Sequence, residues 1–119
     1  MDYYQTTISN KFKTKNDKEV AERLESYGFE VWQDENGVEF ASCDVSWCSQ
    51  ADEDGLDEYL QSMLLDDQFV SIKETGNEGF RYNDGWILFI CKKFIKDYSL
   101  YNFENECIAE LKGVQNGND

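Results

Sequence analysis

The stretch Phe29-Glu30-Val31-Trp32-Gln33-Asp34-Glu35-Asn36-Gly37-Val38-Glu39-Phe40-Ala41-Ser42-Cys43 decides how this chain is read. Apolar and polar residues alternate on both sides of Asn36-Gly37, the period of a half-buried strand. Asn-Gly suits a two-residue type I′ turn, in which both central residues need positive φ. That register sets Glu35 against Val38, Asp34 against Glu39, Gln33 against Phe40 and Trp32 against Ala41. Phe29, Val31, Val38 and Phe40 then face the core, while Glu30, Trp32, Asp34, Glu39 and Ala41 face outward. Asp34 and Glu39 become directly opposed like charges, an arrangement that costs stability. An outward Trp32 ringed by polar residues has the make-up of the centre of a protein–protein contact.

The same reading extends to both ends of the chain. Residues 3–14 form a first strand. Asn16, with Glu19 three positions on, caps a helix whose face is Val20, Leu24 and Tyr27, and Gly28 stops it. A second helix is expected over 54–65, with Leu56, Tyr59, Leu60, Met63 and Leu64 inward and Asp54 as N-cap. Residues 69–73 form a strand, and Asp84-Gly85 predicts a second hairpin between 79–83 and 86–93. A last helix spans 102–112 and ends at Gly113, ahead of a frayed polar tail over 115–119. The order β-α-β-β-α-β-β-β-α predicts a single α+β domain over 1–114: an antiparallel sheet with helices on one face, its first six elements in ferredoxin-like order. Trp86, Leu88 and Ile90 on one side of a strand, and Ile87 and Phe89 on the other, make that strand central. Its outer cover is the third helix or the same surface of a second copy.

Charge is distributed unevenly. The 119 residues carry 25 Asp/Glu against 11 Lys/Arg and no His, a net charge of −14. From Leu24 through Ile72 there are 13 acidic residues and no Lys or Arg. A surface tuned for solubility alone would mix both signs. Helix capping explains only part of Asp52, Glu53, Asp54, Asp57 and Glu58, and Asp66-Asp67 stands at the unfavourable helix end. At one charge per ~1.7 Å of duplex axis, such a segment matches roughly 22 Å of DNA. A strongly anionic chain is a poor ligand for nucleic acid or anionic membrane, and its partner is expected to be a basic protein surface.

Chemistry is hard to assign. Without His the commonest general base and metal ligand are missing, and a Cys nucleophile has no imidazole to activate it. The run from Asp52 to Glu58 has Gly in the fourth place, with Met63 in the twelfth, which does not suit an EF-hand. Cys43 and Cys48 lack two further zinc ligands, and Cys91 and Cys107 fall at apolar positions where thiols are buried. Gly76-Asn77-Glu78-Gly79 lacks the Lys-Ser/Thr of a phosphate loop. No cofactor and no enzymatic activity are expected. The first residues lack the basic and apolar regions of a signal peptide, so a cytoplasmic protein with reduced thiols is expected.

A small, Pro-free α+β domain with a one-signed acidic half resembles the phage and mobile-element inhibitors of bacterial defence, the anti-CRISPR proteins and anti-restriction DNA mimics. The resemblance rests on the segment Leu24–Ile72 and on size. It implies a non-enzymatic inhibitor seated on the basic channel of a nuclease or CRISPR effector in the host cytoplasm. The residues expected to carry it are Glu30, Trp32, Asp34, Glu35, Glu39, Asp52, Glu53, Asp54, Asp57 and Glu58, with Trp32 as anchor. An immunity protein against a basic nuclease toxin would use the same physics. A small-molecule or divalent-metal-binding domain is the alternative of another class.

Overall fold

A computed structural model describes residues 4–47, 54–78 and 83–115. The elements are β1 (Tyr4–Ser9), α1 (Asp17–Ser26), β2 (Glu30–Asp34), β3 (Gly37–Ser42), α2 (Leu56–Met63), β4 (Phe69–Asn77), β5 (Asn83–Cys91), β6 (Ile95–Ser99) and α3 (Leu100–Gln115). The six strands form one sheet in the order β2-β3-β1-β4-β5-β6, every pair antiparallel. The fold is α+β and β4-β1-β3-β2 is the ferredoxin-like arrangement; the succession of elements is the expected one, but the expected strand over 86–93 is β5, β6 was not expected, and 79–82 of the expected strand 79–83 lie outside the described residues.

Local signals place α1 as anticipated. The Asn16 side chain accepts from the Glu19 N–H at 3.1 Å, and Gly28, at φ +98°, ends the helix. One face of the sheet and the inner sides of α1 and α2 enclose the core. Val20, Leu24, Phe40, Leu56, Leu60, Leu64, Ile72 and Ile90 are all fully buried there, with Phe12 and Val38. At the β2–β3 end, Trp47 stacks on Phe40 at 5.4 Å between ring centroids and leans on Phe29 at 5.7 Å.

Several boundaries depart from expectation. In the first hairpin Val31 pairs with Phe40, Trp32 with Glu39 and Asp34 with Gly37, so Glu35 and Asn36 are the turn residues. The Asp34 carboxylate accepts from the Asn36 N–H at 2.8 Å, closing this turn. Gly37 sits instead at φ +134°, where an added Cβ would lie 2.3 Å from the Phe12 carbonyl oxygen. Its bareness serves the close Phe12–Val38 backbone pairing, at 2.8 and 2.9 Å, and not a type I′ turn. Because the shift is two residues in pairing, both faces of the hairpin are preserved. Asp34 and Glu39 are therefore not directly opposed.

Asp84-Gly85 is no turn either. It lies inside β5, Gly85 paired with Thr75, and an added Cβ would meet Leu100 at 3.4 Å. The connection of β4 to β5 includes residues 79–82, which lie outside the described part, and the β5–β6 turn falls between Ile90 and Ile95. β1 is shorter than 3–14, continuing only as single bridges at Phe12 and Thr14. Helix α2 starts at Leu56 with Gly55 as N-cap at φ +64°, so Asp54 is not the cap.

Helix α3 is longer than expected and differs in placement. Ser99 and Asn102 cap it reciprocally: the Ser99 N–H donates to Asn102 Oδ1 at 2.7 Å, and the Asn102 N–H to Ser99 Oγ at 3.1 Å. The helix passes through Gly113 to Gln115, while 116–119 lie outside the description. Leu100 reaches the sheet beside Gly85 and Thr75, the face opposite α1 and α2. All of residues 100–113 are exposed, and Cys107, expected inside, is exposed with them. Among the described residues no helix is long and apolar enough to cross a membrane.

Candidate functional site

Alternation along the strands puts Glu30, Trp32 and Asp34 of β2 and Glu39 of β3 on the sheet face away from α1 and α2. Trp32 is 51% exposed and lies directly across from Glu39. Beside it, Ile8, Ser9, Glu39, Phe40 and Ala41 complete a cleft of about 430 Å³. Glu35 is exposed in the turn. Four of these residues share one sheet face, and Glu35 lies in the turn beside them.

The local field is anionic with one counter-charge. Lys11 Nζ lies 2.6 Å from Asp34 Oδ2 and 3.9 Å from Glu39 Oε1. Its hydrogen bond holds the Asp34 carboxyl below the usual carboxylate range, helped by the Asn36 N–H. The same bond raises the Lys11 ammonium above its ordinary value. Lys11 thus offsets the carboxylate repulsion that the sequence anticipates in this hairpin.

The second half of the expected site lies elsewhere. Asp54, Asp57 and Glu58 belong to the entry of α2, on the helical side of the sheet. Asp54 accepts from the Tyr27 hydroxyl at 2.7 Å, which raises the Tyr27 pKa and ties α1 to the start of α2. Asp57 Oδ1 accepts from the Trp47 indole N–H at 2.7 Å. Both carboxylates are joints of the fold. Asp52 and Glu53 lie outside the described residues. The ten candidates therefore do not make one face.

Two further features lie outside the expected site, and the first carried no local signal in the sequence. Glu74 is 7% exposed, and its carboxylate accepts from the Thr7 hydroxyl, the Ser46 hydroxyl and the Trp47 backbone N–H, each at 2.8 Å. It fixes the segment after β3 and, through Trp47, the floor beneath the acidic hairpin. The other feature is a row of aromatics on the open face at the opposite end of the sheet. Phe69 and Phe89 stack at 5.0 Å, Phe89 and Phe94 at 5.9 Å, and Lys96 Nζ stands 4.7 Å over the Phe94 ring. The sequence signal for this second surface is the strand apolar on both sides, with Ile87 and Phe89 opposite Trp86, Leu88 and Ile90.

Among the described residues no three His, Cys, Asp or Glu side chains are grouped to hold a metal ion. Comparison with protein-family models, curated proteins and solved structures found no match.

Proposed function

We propose that this chain is a non-enzymatic binding protein whose acidic hairpin occupies a basic, nucleic-acid-binding surface of a nuclease or CRISPR effector. The observation that carries the reading is Trp32, half exposed in the wall of a cleft, with Glu30, Asp34 and Glu39 on the same sheet face. A rigid indole at the centre supplies contact area at little entropic cost, and the carboxylates supply complementarity and encounter rate. None of the eleven described acidic residues between Leu24 and Ile72 is buried, so the segment surrounds the hairpin with a negative field. The contact proposed is narrower than the whole acidic segment: Glu30, Trp32, Asp34, Glu35 and Glu39 touch the partner, and the remaining carboxylates act through the long-range field.

The test is cleavage of DNA by purified CRISPR nucleases and restriction enzymes, with the chain added at rising ionic strength. Inhibition should be strong at low salt and fade as salt rises, because exposed charges are screened within about 10 Å at 0.1 M. The variant combining Glu30→Gln, Asp34→Asn and Glu39→Gln should fold normally and lose inhibition, and Trp32→Ala alone should lose most of it. Full inhibition by the triple variant would overturn the reading.

A further inference from the structure

Beyond its start, helix α3 presents a surface that nothing among the described residues covers. Leu100, Phe103, Cys107 and Leu111 fall at spacings of three or four and line one side, with Ile108 adjacent. Tyr101 and Phe103 are 57% and 62% exposed, and Leu111 is 56% exposed. Only the start of the helix touches the sheet, through Leu100 and Phe103 and a Tyr98 hydroxyl–Glu106 hydrogen bond. A helix of 16 residues is marginal in water unless an amphipathic face is packed.

A matching surface exists on the same molecule. On the open side of β4, β5 and β6, next to the strip that Leu100 and Phe103 of the chain's own α3 occupy, stand Phe69 and Phe89, with Phe94 at the turn, and the charges on that side at described strand positions are Lys73 and Lys96. Helix α3 has the opposite sign, with Glu104, Glu106 and Glu110 flanking its apolar stripe. In a chain of net charge −14, an apolar face bearing lysines next to an acidic amphipathic helix is a complementary pair.

Size points the same way. A compact domain of this length has a radius of gyration of about 13.5 Å, whereas the chain measures 17.1 Å, with extents of 55 × 40 × 25 Å. A 13.9 kDa monomer normally exposes about 6,700 Å², and this one exposes 7868 Å². A surplus of about 1,200 Å² per copy leaves room for an interface of standard size, which takes roughly 800 Å² from each partner.

We propose that α3 docks on the β4–β6 half of the open sheet face of a second copy and receives that copy's α3 in return. Reciprocal exchange closes the assembly with two-fold symmetry and leaves no unfilled surface to recruit a third copy. The acidic hairpins lie at the far end of each sheet and take no part, so the inference stands apart from the proposed inhibitory function.

Sedimentation equilibrium of the full chain at micromolar concentration tests it. The expected mass is twice the 13.9 kDa of the chain. Leu111→Lys on the helix and Phe89→Lys on the sheet should each yield a monomer. Leu111→Lys, at an exposed site, should keep the cooperative urea transition of the native core while losing helical circular dichroism as α3 frays. A monomeric parent chain overturns the proposal, including the case in which an acidic helix of another protein is the natural occupant. A Leu111→Lys variant that stays dimeric overturns it as well.

Discussion

Replacing Glu74 by alanine probes the joint on which the acidic hairpin rests. The carboxylate takes three donors at 2.8 Å, from Thr7, Ser46 and the Trp47 backbone. Ser46 is half buried and can turn to water, and the Thr7 hydroxyl has the Val45 carbonyl in reach at 3.3 Å. The Trp47 N–H has no such recourse, and an orphaned buried donor costs about 1–3 kcal/mol. Loss of the buried apolar stem adds about 1 kcal/mol. The total, about 3 kcal/mol, corresponds to a drop in Tm of about 10 °C for a domain of this size. Glu74→Gln keeps an oxygen for Thr7 and Trp47, and its amide can donate to the Ser46 hydroxyl. Exchanging charge-assisted for neutral hydrogen bonds then costs only about 1 kcal/mol. Urea unfolding followed by tryptophan emission measures both variants. An alanine variant within about 0.5 kcal/mol of the parent would refute the assignment of Glu74 as the anchor of this segment.

Two further perturbations separate backbone from charge. Gly37→Ala should destabilise by about 3 kcal/mol or more, because its Cβ would meet the Phe12 carbonyl oxygen at 2.3 Å; thermal melts check this, with the uncrowded Gly113→Ala as control. Lys11→Met should tighten binding to a cationic nuclease at low salt by baring Asp34 and Glu39, measured by titration calorimetry. Its cost in stability depends on pH: the Asp34 pKa is depressed in the folded chain, so the stabilisation is present above 3.8 and disappears as pH falls through the lower folded value. Urea midpoints of parent and variant should therefore differ at neutral pH and converge in strong acid.

Much of the fold was legible because periodicity and punctuation agreed. Asn16 and Gly28 bracket α1, and the apolar spacing from Leu56 to Leu64 locates α2 and its buried side. Glycine misled twice: Gly37 is bare because the Phe12 carbonyl lies close, and Gly85 stands inside β5, where an added Cβ would make only ordinary contact with Leu100. A turn signal and a close-approach signal are the same letter. Trp47 and Glu74, 27 residues apart, were invisible because each makes sense only beside the other. For the candidate site, strand alternation alone placed Glu30, Trp32, Asp34 and Glu39 on one face. The carboxylates of the α2 entry could not be placed that way. Asp54 and Asp57 looked like surplus surface charge, and their hydrogen bonds to Tyr27 and Trp47 show that long-range partners claimed them.

The strand order has a consequence for solution behaviour. β2 is terminal in the sheet, so its outer backbone groups are a template on which another molecule's strand could add. Glu30 and Asp34, at the two ends of this short strand, set like charges on that border, which disfavours addition of a like strand. The carboxylates proposed to attract a cationic partner thus also guard against self-templating. Neutralising them removes both effects at once, and variants lacking these charges should turn turbid at concentrations where the parent chain stays clear.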